Sequence, residues 1–193
     1  MKDKSADAEL MVWTIGHSTR SVSELFDLLT QVAVDLLVDI RTVPRSRTNP
    51  QFNRDILPTT LSRTGIDYYH LAALGGLRGR RKGSVPSPNA LWRNEAFRNY
   101  ADYAAADPIF RRGLDELIAL ARDHRTAIMC AEAVWWRCHR RIVADYLLVA
   151  GVAVYHILGI NHIERANLTP SAKPQADGGI LYPGPEEEQF SLL

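Results

Sequence analysis

The chain has 193 residues, is 46% hydrophobic and 23% charged, and carries a net charge of +1. These values are ordinary for a soluble globular protein of one domain, with chain enough for a sizeable core. No apolar run reaches the roughly 18 to 20 residues that cross a bilayer, and the start MKDKSADAEL lacks the apolar stretch of a signal peptide. The expectation is therefore a cytoplasmic protein that does not engage a membrane, and its two cysteines are expected to be thiols, metal ligands or a redox pair, not a structural disulfide.

Residues 1–10 read as a flexible tail, and 11–160 as the body of the domain. Met11 to Ile15 is apolar and β-prone, and breaks at Gly16-His17-Ser18. Ser21 and Glu24 fit a capping box, in which the serine caps a helix start and the glutamate reaches back. Leu25, Phe26, Leu28, Leu29 and Val32 then follow at helical spacing. Leu36 to Ile40 predicts a second strand, apolar enough for burial on both faces, running into Arg41-Thr-Val-Pro44-Arg45-Ser-Arg47. Asn49 to Asn53 reads as loop, and a short helix is expected from about Pro58 to Gly65. Tyr68 to Leu71 predicts a third strand. A Gly75-Gly76 turn and a long polar stretch to Asn94 follow it; a loop of that length is usually functional or mobile.

A helix is expected near Glu95 to Ala105. A better one follows Asp107 as cap, with Pro108 first and Phe110, Leu114, Leu117, Ile118 and Ala121 on one face. Ala127 to Cys130 predicts a fourth strand and 138–150 a helix ended by Gly151. Val152 to Leu158 predicts a fifth strand carrying His156, there as a core histidine before a ligand. Residues 161–193 form a Pro/Gly-rich extension. In it Ile180-Leu181-Tyr182 is expected as an edge strand and Glu186–Glu188 as a solvated end. The fold class that follows is α/β: one compact domain, with a mostly parallel five-stranded sheet and helices on both faces, Rossmann-like. Such sheets bind ligands beyond the carboxyl ends of their strands. Four expected strands run into polar residues there: His17-Ser18, Asp39-Arg41, His70 with Gly75-Gly76, and Cys130-Glu132.

Charge is unevenly spread. Residues 41–98 hold eleven basic residues against three acids, and the remainder twelve against nineteen. A basic middle points to an anionic partner: phosphate, nucleotide or nucleic acid. Its alternative is a solvated arginine-rich surface. Ile128 to Arg141 concentrates both cysteines, Glu132, Trp135, Trp136, His139 and three arginines. A helix start at Cys138 would lower its thiol and offer amides to a phosphate, with Arg140 as bidentate partner. Cys130 at a strand end reads equally as an inert buried thiol. Six residues separate Cys130 from Arg137, two of them tryptophans, where a Cys-x5-Arg phosphate loop would be tighter and made of small residues. The cysteine spacing also fails a Cys-x-x-Cys redox pair. Zinc accepts Cys and His, but its usual short paired spacings are absent. No metal ligands are assigned, and a Cys/His metal protein stays an alternative. Asp39 and Glu132 read as acid/base groups or as ion-pair partners for Arg41 or Arg140.

The motifs T-I-G-H-S, V-D-I-R-x-x-P-R-S-R, N-P-Q-F-N, L-G-G-L-R, W-R-N and C-A-E-A-x-W-W-R-C-H-R, in this order, resemble the domain of unknown function 488 family. The likeness spans about 12–160 and the D-G-G-x-L-Y-P segment at Asp177 to Pro183. It implies a compact α/β domain and no settled activity. By position it marks His17, Ser18, Asp39, Arg41, Pro44, Arg45, Asn49, Phe52, Asn53, Gly75, Gly76, Cys130, Glu132, Cys138, His139 and Arg140; Val134 departs where many relatives carry proline. The leading functional expectation is an enzyme, or a degenerate one, on a phosphate-bearing substrate. Cys130, Cys138, Glu132, Asp39 and His17 are its candidate catalytic residues. Ser18, Arg41, Arg45, Asn53, Gly75, Gly76, His139 and Arg140 are the candidates for binding. A non-catalytic module for nucleic acid or a small ligand is the alternative, and the sequence assigns neither cofactor nor oligomeric state.

Overall fold

The computed structural model describes residues 9–79 and 86–185. The expected tail over 1–8, Arg80-Arg81-Lys82 of the basic stretch and the acidic end at Glu186–Glu188 lie outside them. In chain order the elements are β1 (Met11–Gly16), α1 (Val22–Thr30), β2 (Leu36–Asp39), α2 (Leu57–Ser62), β3 (Asp67–His70), α3 (Glu95–Ala106) and α4 (Pro108–Asp123). There follow β4 (Thr126–Cys130), α5 (Arg140–Val149), β5 (Ala153–Gly159), β6 (His162–Arg165), β7 (Lys173–Pro174) and β8 (Ile180–Leu181). Among the described residues no helix is long and apolar enough to cross a membrane.

The main sheet has the order β3-β2-β4-β1-β5-β6. Its first five strands run parallel, and β6 pairs antiparallel with β5. Alternation along each strand divides the core into two layers. Val12, Val38, Ile128 and Val154 face α3, α4 and α5. Trp13, Ile15, Leu37 and Met129 face α1 and α2. The result is a mixed α/β single domain with helices on both faces, as expected.

The helix ends follow local chemistry. Ser21 and Glu24 form the reciprocal capping box that starts α1, with Glu24 N donating to Ser21 Oγ at 3.1 Å. Asp107 caps α4 through Ile109 N at 2.9 Å, with Pro108 in the first turn. Gly151 ends α5 at φ +81°, a left-handed position that glycine takes without a Cβ penalty.

Three expectations are corrected. The sheet has a sixth strand, because after the turn at Asn161 (φ 56°) the chain folds back on β5; four exposed residues, His-Ile-Glu-Arg, give no apolar signal. Ile180-Leu181 does not border the main sheet but pairs with β7 in a separate ribbon. That ribbon is fastened by Tyr182, fully buried, whose hydroxyl donates to Asp145 at 2.9 Å, and by Ile180 N on the Tyr146 hydroxyl at 3.1 Å. Lastly, the helix expected from 138 begins at Arg140 with His139 as N-cap, after a 3₁₀ turn at Trp135–Arg137.

Topology fixes where a ligand would sit. From β2 the chain moves to β3 on one side; from β4 it crosses to β5 on the other. The loops leaving β2 and β4 therefore diverge, and diverging loops open a crevice at the strand ends.

Candidate functional site

One wall of the crevice is built on Asp39. This carboxylate, fully buried, accepts from the backbone N–H of Arg41 at 3.0 Å, from Arg41 Nε at 2.9 and 3.1 Å and Nη2 at 2.6 Å, and from the Tyr68 hydroxyl at 2.8 Å. Burial and the Asp39 charge raise the Tyr68 hydroxyl above its ordinary range, which keeps it a donor. Arg41 Nη2 also donates to Phe52 O at 2.6 Å, and Nη1 lies 3.2 Å from His17 Nε2. A guanidinium only donates, so His17 accepts at Nε2 and carries its proton on Nδ1, which donates to Ser18 O at 2.9 Å. Burial, aided by Arg41, lowers His17 to about 4 against the opposing Ser18 bond. The ring is stacked on Phe52 at 4.3 Å. This wall is a satisfied ion-pair network.

The other wall is the β4–α5 connection. Cys130 ends β4, and Cys138 and His139 precede α5. His139 Nδ1 lies 3.5 Å from Cys138 Sγ and 3.8 Å from Cys130 Sγ, while Nε2 donates to Ile40 O at 3.3 Å. Arg140, only 1% exposed, donates from Nε to Cys138 Sγ at 3.4 Å and from Nη2 to Glu132 O at 2.5 Å. No carboxylate lies within ion-pair distance of Arg140 among the described residues. A buried charge needs a counter-charge, and the adjacent sulfur supplies it. Burial pushes the Cys138 thiol up. The hydrogen bond from Cys130, His139 and the Arg140 charge outweigh it, and Cys138 lies well below the usual thiol range. Cys130 is pushed well above that range, first by donating to Cys138 and then by burial.

Glycines let these walls close. A Cβ on Gly16 would stand 1.9 Å from Glu132 O, one on Gly75 2.4 Å from Thr42 Oγ1, and one on Gly76 2.4 Å from His139 Nδ1. The β1–β4 ladder continues past its strands through His17 N to Cys130 O and Ser18 N to Ala131 O, both at 3.0 Å. These bonds hold the 131–133 loop over Gly16.

Two lobes open on the site. One, of about 410 Å³, has Cys130, Cys138, His139 and Tyr100 in its lining, with Arg137 beside them. The other, of about 440 Å³, is lined by Ser18, Thr19, Arg45, Ser46 and Asn49 among others. They share Arg41, Val43, Ala131 and Glu132. A larger hollow of about 830 Å³ near Arg78 and Asp102 holds none of the cluster residues.

The fold thus gathers His17, Ser18, Asp39, Arg41, Arg45, Gly75, Gly76, Cys130, Glu132, Cys138, His139 and Arg140 around one crevice. Asn53 stands apart in a structural bond, its Oδ1 accepting from Ser46 N at 2.6 Å. The helix start expected at Cys138 lies two residues later, at Arg140. The amides of Cys138, Arg141 and Ile142 already bond the carbonyls of Trp135, Cys138 and His139 at 3.0–3.1 Å. Arg140 turns inward to carbonyls and sulfur, not outward as a fork. Sequence reasoning missed Tyr68 on Asp39 and Tyr100, whose ring lies 5.1 Å from the His139 ring. Strand adjacency pointed to the first; nothing local pointed to the second. His156 is a core histidine: its Nδ1 bonds Thr14 Oγ1 at 2.8 Å, and Trp135 stacks on it at 4.3 Å.

Fold and site together define a mostly parallel α/β domain with a thiol–imidazole cluster at its switch point. Residues 21–147, more than half of the chain, match the model of the Domain of unknown function DUF488. The chain belongs to that family. No curated protein and no solved structure matches it.

Proposed function

We propose that this protein is an enzyme acting on a phosphate-bearing substrate, a nucleotide or nucleic acid, in the crevice between β2 and β4. The Cys130–Cys138–His139 cluster is its reactive centre. The observation that carries the reading is the position of that cluster: three chemically active groups in the lining of a crevice at the diverging strand ends, where parallel sheets take their ligands. The anionic character of the substrate draws on exposed Arg45 and Arg137 in the two lobes.

In this reading Arg45, Ser18, Ser46 and Asn49 hold phosphate oxygens. Glu132, exposed and common to both lobes, moves a proton. Asp39, Arg41 and His17 are positioning residues: their polar atoms are committed to one another and to the backbone, and they set the shape of the β2 wall.

The test is titration of nucleotides and oligonucleotides at several salt concentrations against wild type and Arg45→Ala, followed by turnover assays with Cys138→Ser. Binding that weakens with salt and with Arg45→Ala, and turnover lost in Cys138→Ser, is the expected result. Absent or salt-indifferent binding would sink the anionic substrate. Binding without any turnover would leave a non-catalytic module.

A further inference from the structure

We infer that Cys130, Cys138 and His139 bind a divalent cation of the zinc class, with a fourth coordination position open to the crevice. The inference rests on the reading of this cluster as the reactive centre and gives that centre its chemistry.

Four observations converge. First, the two sulfurs and a ring nitrogen lie within 4.8 Å of one another. Around a tetrahedral zinc, with Zn–S about 2.3 Å and Zn–N about 2.0–2.1 Å, sulfur and nitrogen stand about 3.6 Å apart. The observed separations from His139 Nδ1 are 3.5 and 3.8 Å. Second, His139 Nε2 faces Ile40 O at 3.3 Å. That bond places the proton on Nε2 and frees the Nδ1 lone pair toward the sulfurs, the outer-shell arrangement of metal-bound histidines.

Third, space is kept beside Nδ1. A Cβ on Gly76 would stand 2.4 Å from Nδ1, inside the volume an ion and its ligands need. Fourth, the ligands sit on rigid supports. Cys130 closes a fully buried strand, Cys138 is tied by its amide to Trp135 O at 3.1 Å, and Arg140 Nε steadies the Cys138 sulfur at 3.4 Å.

The described residues give this cluster three protein ligands. Three ligands and an open position distinguish catalytic from structural zinc. On binding, both cysteines ligate as thiolates, and the protons they carried pass to solvent. Two thiolates balance a dication. The charge of Arg140 is then left over, and an anion at the fourth position, hydroxide or a phosphate oxygen, neutralises it.

The experiment uses the full chain. Protein purified without chelator is measured for metal content, and metal-free protein is titrated with Co²⁺. The expectation is about one bound metal per chain and, with Co²⁺, both a thiolate-to-cobalt charge-transfer band and tetrahedral d–d bands. Cys130→Ser, Cys138→Ser and His139→Ala each lose the stoichiometric metal while thermal unfolding confirms that they fold. Wild-type spectra decide the matter if a variant does not fold. Inorganic phosphate added to the cobalt protein is expected to shift the d–d bands.

A folded protein with no metal, no charge-transfer band and two thiols free to titrate overturns the inference. Turnover by such metal-free protein, abolished by alkylating Cys138, would do so while leaving the proposed function standing. A cobalt band indifferent to phosphate, with no phosphate-bearing ligand bound, keeps the metal and removes the substrate.

Discussion

Arg41 lies just past the end of β2 and Arg140 opens α5, the helix after the neighbouring strand β4; both are buried, at 7% and 1% exposure. They are neutralised differently. Arg41 folds back on Asp39, two residues earlier, in a multiply bonded ion pair at 2.6 Å. Among the described residues Arg140 meets carbonyl oxygens and the Cys138 sulfur. A charge already matched by a carboxylate is a fixed structural part. A charge matched by a sulfur holds that sulfur as a thiolate and leaves the pair available to a metal or an anion. The two guanidiniums thus separate the ion-paired β2 wall from the wall that carries the thiol–imidazole cluster.

The comparison can be broken at its strongest point. Asp39→Ala leaves Arg41 buried without its partner, and removing one member of a buried pair costs about 3–5 kcal/mol. Urea unfolding is expected to show this loss. A change under about 1 kcal/mol would mean that Arg41 finds other compensation, and the contrast would fail. Next in size, in metal-free protein, Cys138→Ala should cost about 3 kcal/mol, because it strands the Arg140 charge. Cys130→Ala removes only a small buried group and should cost about 1 kcal/mol. Equal losses would show that Arg140 does not depend on one sulfur.

Gly16→Ala probes the loop that offers its carbonyls to Arg140. The clash is with backbone, so the 131–133 loop must shift, at about 2 kcal/mol, the scale of overpacking. Thiol reactivity of Cys138 should change with it, read by the rate of alkylation.

Arg140 acts on His156 too. Burial first, then the Arg140 charge, lower this histidine to about 3; Thr14 Oγ1 and the Trp135 ring cover it, and Glu164 stands opposite on β6. The folded value lies below the unfolded 6.5, so the unfolded chain takes up a proton first as pH falls. The contribution of neutral His156 is whole above pH 6.5 and declines toward pH 3. Melting temperatures across that window should drop less steeply in His156→Gln. An unchanged slope would assign the acid sensitivity to other groups. Smallest of all, Glu132→Gln should alter stability by less than about 0.5 kcal/mol, because its side chain is exposed and Arg140 uses only its carbonyl. A larger loss would give Arg140 a carboxylate partner after all.

Much of this was legible in the chain. The capping box at Ser21, the Asp107-Pro108 start and the apolar strands are local patterns, and local patterns survive folding. Parallel topology then implied that the strand ends carrying His17, Arg41, Cys130 and Glu132 would share one edge of the sheet, and these residues line two adjoining lobes there. The exposed β6 carried no periodicity to read. The start of α5 was misplaced by two residues because the Trp135–Arg137 turn satisfies amides that a helix start would leave open. That small shift moved Cys138 from a helix dipole to an ion-pair-like contact with Arg140.

By itself the sequence determined the parallel strands, most of the helices and the reactive residues that follow them, since propensity, caps and hydrophobic period act over a few residues. Tertiary structure alone decided which groups are spent on one another. Pairing depends on angles and distances between loops far apart in the chain. His139 reaches across to Ile40, 99 residues away, and Gly76 lies against its ring. That geometry gathered two thiols and an imidazole beside a guanidinium with no carboxylate partner among the described residues.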